Sequence, residues 1–210
     1  MAADEGSRTL IIWRHGETEH NASGIWQGQL DIPLSDKGRE QALSAAATLA
    51  AYEPSVIVSS DLQRAADTAG SLASRMGLQV RYDERLREIH AGLWQGMNAG
   101  DVAEQFPVEQ AALRAGEDIQ RGGHGESMGQ VAKRTREAVE DLLATLAPGD
   151  TAVIATHGVA GRTVVAGLVG LDQHTAWQCF AGLRNCHWAE VHEYAGAWRI
   201  VTWNVGADPL

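Results

Sequence analysis

Four short apolar runs, most of them followed by a break and a stretch with helical periodicity, constrain what this chain can fold into. "TLIIW" (Thr9 to Trp13), "PSVIVSS" (Pro54 to Ser60) and "TAVIATHG" (Thr151 to Gly158) read as strands buried on both faces, and "GLQVRY" (Gly77 to Tyr82) reads as another strand. Strands covered on both faces belong to parallel sheets flanked by helices. The expected fold class is therefore α/β, a three-layer α/β/α sandwich with a mostly parallel central sheet.

The intervening stretches carry helix signals. Ser35 is a candidate N-cap for "LSDKGREQALSAAATLAAYE", and Ser60 with Gln63 has capping-box spacing before a helix that ends near Gly77. Ser127 and Gln130 repeat that spacing before a stripe of Val131, Thr135, Val139, Leu142 and Leu146. Another helix runs from about Val159 to Leu168. "CHWAEVHE" and "AWRIVTWN" alternate around Ala195 and Gly196 as a closing hairpin. Between Arg81 and Gly125, eight breakers, among them Gly92, Gly96, Pro107 and Gly122, leave only loop and short helix. With 210 residues and no linker or repeat, the chain reads as one domain over 1–210, with 81–125 as a loop-rich region capping the substrate.

Charge narrows the partners. Seventeen Lys and Arg against 27 Asp and Glu give a net charge of −10, which repels nucleic acid and anionic lipid. The start, "MAADEGSRTL", is acidic and lacks an apolar signal region, and no apolar run reaches membrane-spanning length. The expectation is a cytoplasmic protein with no nucleic-acid or membrane partner. Cys179 and Cys186 lack metal-type spacing and read as reduced thiols.

Within an acidic whole, the strand ends are locally basic. In open parallel sheets, ligands bind beyond the carboxyl ends of the strands. One strand ends in Arg14, His15 and Gly16; another in Ser59 and Ser60, with Arg64 a turn later; a third in Thr156, His157 and Gly158. Two arginines and two histidines thus share one sheet edge. Guanidinium forks and helix-start N–H groups suit phosphate, and a histidine among arginines stays neutral and nucleophilic. Phosphoryl transfer through a phosphohistidine follows as the expectation.

These residues carry a resemblance. "IWRHGETEHN", "WQGQLDIPLSDKGREQA", "SSDLQRAADTA", "LREIHAGLWQG", "HGESMGQVAKR" and "ATHG" resemble, in order, the motifs of the histidine phosphatase superfamily, the phosphoglycerate mutase-like fold. The resemblance implies that His15 is phosphorylated, that Arg14, Arg64 and His157 hold the phosphoryl oxygens, and that Glu88 is the proton donor. Asn21, Gln27, Gly28 and Gly158 would complete the phosphate site. It implies no metal and no cofactor. Glu84, close in sequence, is the competing carboxylate.

Two branches of that family remain to be separated. Mutases carry extra basic residues after the acid, whereas Asn98 to Asp118 holds Asp101, Glu104, Glu109, Glu117 and Asp118 against Arg114. The motifs are more similar to the phosphatase branch, which implies a metal-independent phosphomonoesterase acting on a small phosphorylated metabolite, a phosphoglycerate or a sugar phosphate, and a homodimer. The alternatives are a cofactor-dependent phosphoglycerate mutase and an idle phosphate- or partner-binding module. Trp26 and Trp94 are expected as pocket wall, Asn185 and Trp188 as parts of the hairpin, and Arg162 as either structural or functional support behind the site.

Overall fold

The computed structural model describes residues 6–207; the acidic start from Met1 to Glu5 and residues 208–210 lie outside it. In chain order the elements are β1 (Thr9–Arg14), α1 (Glu19–Ala22), α2 (Asp36–Leu49), β2 (Val56–Ser59), α3 (Gln63–Met76), β3 (Val80–Tyr82), α4 (Ala99–Gln105), α5 (Pro107–Arg114), α6 (Met128–Leu143), β4 (Thr151–Thr156), α7 (Gly158–Leu168), α8 (Gln173–Cys179), β5 (Trp188–Tyr194) and β6 (Ala197–Val205). The six strands form one sheet in the order β3-β2-β4-β1-β5-β6. β3, β2, β4 and β1 are parallel, while β5 runs antiparallel to both β1 and β6.

Alternation along β1 divides the core into two layers, because successive side chains leave a strand on opposite faces. Ile11 and Trp13 pack with Val153 and Ala155 under Ala42, Ala45, Ala46 and Leu49 of α2 and Ala69 and Leu72 of α3. Leu10 and Ile12 pack with Ala152 and Ile154 under Ala138 and Val139 of α6 and Val164 and Val165 of α7. This is the three-layer α/β/α arrangement, and it explains why β1 and β4 show no polar face.

Most helix starts follow the sequence. Ser35 Oγ accepts the Gly38 N–H at 3.0 Å, and Ser127 and Gln130 form the reciprocal capping box of α6. Gly77 ends α3 in the left-handed region at φ 68°. The exception is the start of α3. Ser60 does not form a capping box with Gln63; the Gln63 N–H is taken by Asp31 Oδ1 at 2.7 Å, and Ser60 Oγ lies 2.9 Å from His157 Nε2. The helix starts later than that spacing requires, with Leu62 as its N-cap, and Ser60 Oγ accepts the Leu62 N–H at 3.3 Å instead. The hairpin turns through Ala195 and Gly196, both at positive φ (50° and 79°), as a two-residue hairpin with right-handed twist requires.

Residues 81–125 contain α4, α5 and the short 3-10 turns Glu84–Leu86 and Gly92–Trp94. They enclose a small core of their own, with Trp94 edge-on to Trp26 and Phe106. Trp94, expected as pocket wall, is instead the fully buried centre of this cluster. No helix among the described residues is long and apolar enough to cross a membrane.

Candidate active site

A cavity opens at the carboxyl ends of β1 and β2. Arg14, His15, Asn21, Trp26, Gln27, Gly28, Arg64 and Glu88 line it, so seven of the expected site residues and one of the two tryptophans meet there. His157 lies wholly buried beside it, its ring 5.1 Å from that of His15. Gly158 begins α7 where a Cβ would sit 3.7 Å from Glu88 Oε2 and 3.8 Å from Arg14 Cζ.

His15 is set for one ring nitrogen to react. Its Nδ1 lies 2.7 Å from the Gly16 carbonyl, an acceptor only, so Nδ1 carries the proton and Nε2 keeps its lone pair. Arg64 Nε donates to that lone pair at 3.3 Å. Burial first, then the charges of Arg64 and Arg14, hold the imidazole well below its ordinary range. The same causes, with burial again the largest, keep His157 neutral.

The cations are fixed by backbone oxygens. Arg64 donates Nη1 to Leu30 O at 2.7 Å and Nη2 to Gly28 O at 2.8 Å. Burial lowers it to about 10, so it stays charged at neutral pH. Gly28 sits at φ 51°, and a Cβ there would meet Gln95 Oε1 at 2.2 Å; both the turn and the close approach require glycine. Arg14 Nη1 donates to Leu183 O at 2.5 Å, and its buried Nε has no partner.

The amides are held by their oxygens. Asn21 Oδ1 accepts from Thr18 N and Asn185 Nδ2, and Gln27 Oε1 accepts from the Thr18 hydroxyl at 2.9 Å. With the oxygens engaged, the NH₂ groups remain as donors to an anion. Glu88 accepts from Ile89 N at 2.9 Å and from Val159 N and Ala160 N at 3.1 Å each, at the start of α7. Glu84 is exposed and pairs with Arg87, so it is not the site carboxylate. A single carboxylate among several cations and amide donors makes an anion site; no group of three metal-ligating side chains occurs among the described residues.

The sequence model of the histidine phosphatase superfamily (branch 1) matches residues 10–206. The chain belongs to the histidine phosphatase superfamily. As a histidine phosphatase it is similar to glucosyl-3-phosphoglycerate phosphatase of Mycolicibacterium vanbaalenii, at 39% identity over 96% of each chain. A probable phosphoglycerate mutase of Escherichia coli is 33% identical over 93% of this chain and 90% of its own. The structure of mycobacterial glucosyl-3-phosphoglycerate phosphatase in complex with VO3 superposes with a TM-score of 0.87 at 38% identity, over 95% of this histidine phosphatase and 100% of that chain.

Several supporting residues had little signal in the sequence. Asn185, read only as part of the hairpin, donates to both His15 O and Asn21 Oδ1 from 170 and 164 positions away. Arg134 donates to the carbonyls of Arg85, Arg87 and Glu88 and to Glu126, fixing the segment that carries the carboxylate. Thr18, by contrast, could have been found from the Thr-x-x-Asn spacing of the α1 capping box.

Proposed function

We propose that this enzyme hydrolyses a phosphate monoester without a metal, through a phosphohistidine at His15. The observation that carries the reading is the Nδ1–H bond to Gly16 O, which leaves Nε2 as a neutral nucleophile facing the cavity. Arg14, Arg64, Asn21, Gln27, His157 and the backbone at Gly28 and Gly158 hold the phosphoryl oxygens and offset their charge. As Nε2 forms its bond to phosphorus, the phosphorus–oxygen ester bond breaks and Glu88 gives its proton to the departing alkoxide. The resulting carboxylate then takes a proton from water, whose oxygen attacks the phosphohistidine and releases phosphate.

The relatives' names support a phosphorylated glycerate or sugar as substrate, with glucosyl-3-phosphoglycerate the first compound to assay. The acidic run from Asp101 to Asp118 disfavours the mutase reading, since it supplies repulsion where a second phosphate would need cations. The reading extends to one domain whose 81–125 region covers the substrate, and to a cytoplasmic homodimer. Light scattering of the purified protein reads the last point.

The test is hydrolysis of p-nitrophenyl phosphate in EDTA by native protein and His15→Ala, with labelled phosphate trapped on denatured enzyme. The expected result is turnover in EDTA, a loss of roughly 10³-fold or more in the variant, and acid-labile label on the native chain alone. Undiminished turnover by His15→Ala would overturn the reading.

A further inference from the structure

Arg162 is a buried cation with nothing paired to it. It is 7% exposed, yet among the described residues its guanidinium makes no hydrogen bond and no ion pair, and its Nε is buried without a partner. The other buried arginines are not like this: Arg64 donates to two carbonyls, and Arg121 donates to Ile119 O. The face of Trp177 lies 4.2 Å from its Cζ, and that tryptophan is half-exposed. A buried N–H without an acceptor is costly, and the two Nη groups, which make no bond among the described residues, are free to take an anion that arrives from outside.

Its place in the fold says where that anion belongs. Gly158 and Arg162 are four residues apart on α7 and share a face, and Gly158 is the residue that abuts Glu88 and Arg14. The Arg162 backbone is thus about one helical turn, roughly 6 Å along the axis, from Gly158 at the phosphate end of the cavity. The segment Ala181–Arg184 joins the two positions: Leu183 O takes Arg14 Nη1, and a Cβ on Gly182 would lie 3.5 Å from Arg162 Nη2. Glu88 stabilises the charge on Arg162 from the same side, while burial opposes it.

We propose that Arg162 binds a carboxylate on the substrate, one helical turn from the phosphate. The inference rests on the phosphatase reading and narrows its substrate class to phosphomonoesters of hydroxy acids. A planar guanidinium matches a carboxylate with two parallel hydrogen bonds. A second phosphate fits less well, because it would bring two charges to one cation beside Glu88. A three-carbon phosphorylated hydroxy acid spans the required turn, and Glu88 can tolerate the neighbour because its own oxygens are turned into the Ile89, Val159 and Ala160 amides.

The test compares D-3-phosphoglycerate with sn-glycerol 3-phosphate, which lacks the carboxylate, as competitors of p-nitrophenyl phosphate turnover. The expected result is a preference of about tenfold or more for the acid in the native protein, reduced to within about threefold in Arg162→Gln, with Arg162→Lys between them. Inhibition constants are read only from active molecules, so a partly unfolded variant does not distort the ratio. No preference in the native protein, or a preference that survives Arg162→Gln, would overturn the proposal. Failure of the native protein to turn over p-nitrophenyl phosphate would count against the phosphatase reading alone; calorimetric titration of the same two compounds then reads the preference without catalysis.

Discussion

Arg134 shows how much of this site is held by residues that do not line it. Its five donors are spent on three carbonyls of the Arg85–Glu88 segment and on Glu126, which in turn accepts the His90 N–H at 2.8 Å. Replacing Arg134 by Gln frees the backbone under Glu88, and steady-state kinetics should show kcat falling roughly 10–100-fold with a smaller change in KM. Asn185 does similar work for His15 and Asn21, so Asn185→Ala should raise KM for any phosphate ester more than it lowers kcat. The residues that line the cavity were legible in the sequence because they lie in recognisable motifs in the segments after the strands. Their positioning partners were not, since nothing near Asn185 in the chain says that it reaches Asn21.

At the scale of elements, α2 and α3 both lean on the segment that joins β1 to α2. Asp31 caps α3, and Asp31→Ala should lower stability by about 1 kcal/mol in urea unfolding. The first turn of α2 rests directly on the loop after β1: a Cβ on Gly38 would lie 2.0 Å from Glu17 O, and one on Gly16 would lie 2.4 Å from Gly38 O. Gly38→Ala must push backbone apart, so a loss of about 1–3 kcal/mol is expected, together with reduced activity from the displaced His15 loop. The long elements were readable because apolar runs and 3.6-residue stripes extend over enough residues to be distinctive. The short helices α1 and α8 lacked that length. Ser60 was misread because a serine three residues before a helix looks the same whether it caps the helix or lies against a buried histidine.

Over the whole molecule, the two site histidines make stability fall on the acid side. Burial and neighbouring arginines keep both folded imidazoles well below the unfolded value of about 6.5. Above that pH neither state binds the protons and the histidines contribute nothing. Below it the unfolded chain takes up protons that the folded chain refuses, so stability falls by about 1.4 kcal/mol per pH unit for each histidine. Urea unfolding between pH 5 and 7 should show this slope, and it should be shallower in His15→Ala and His157→Ala.

The sheet order has a consequence for the chain while it is being made. β1 pairs with β4 on one side and β5 on the other, so Ile11 meets Val153 and Glu190 as its nearest neighbours across the sheet. At ribosomal speeds of about 5–20 residues per second, an apolar β1 waits on the order of ten seconds for its first partner. During that interval the newly emerged His15 has neither His157 nor Asn185 beside it. The site therefore cannot assemble until Asn185 has emerged, 170 residues after His15.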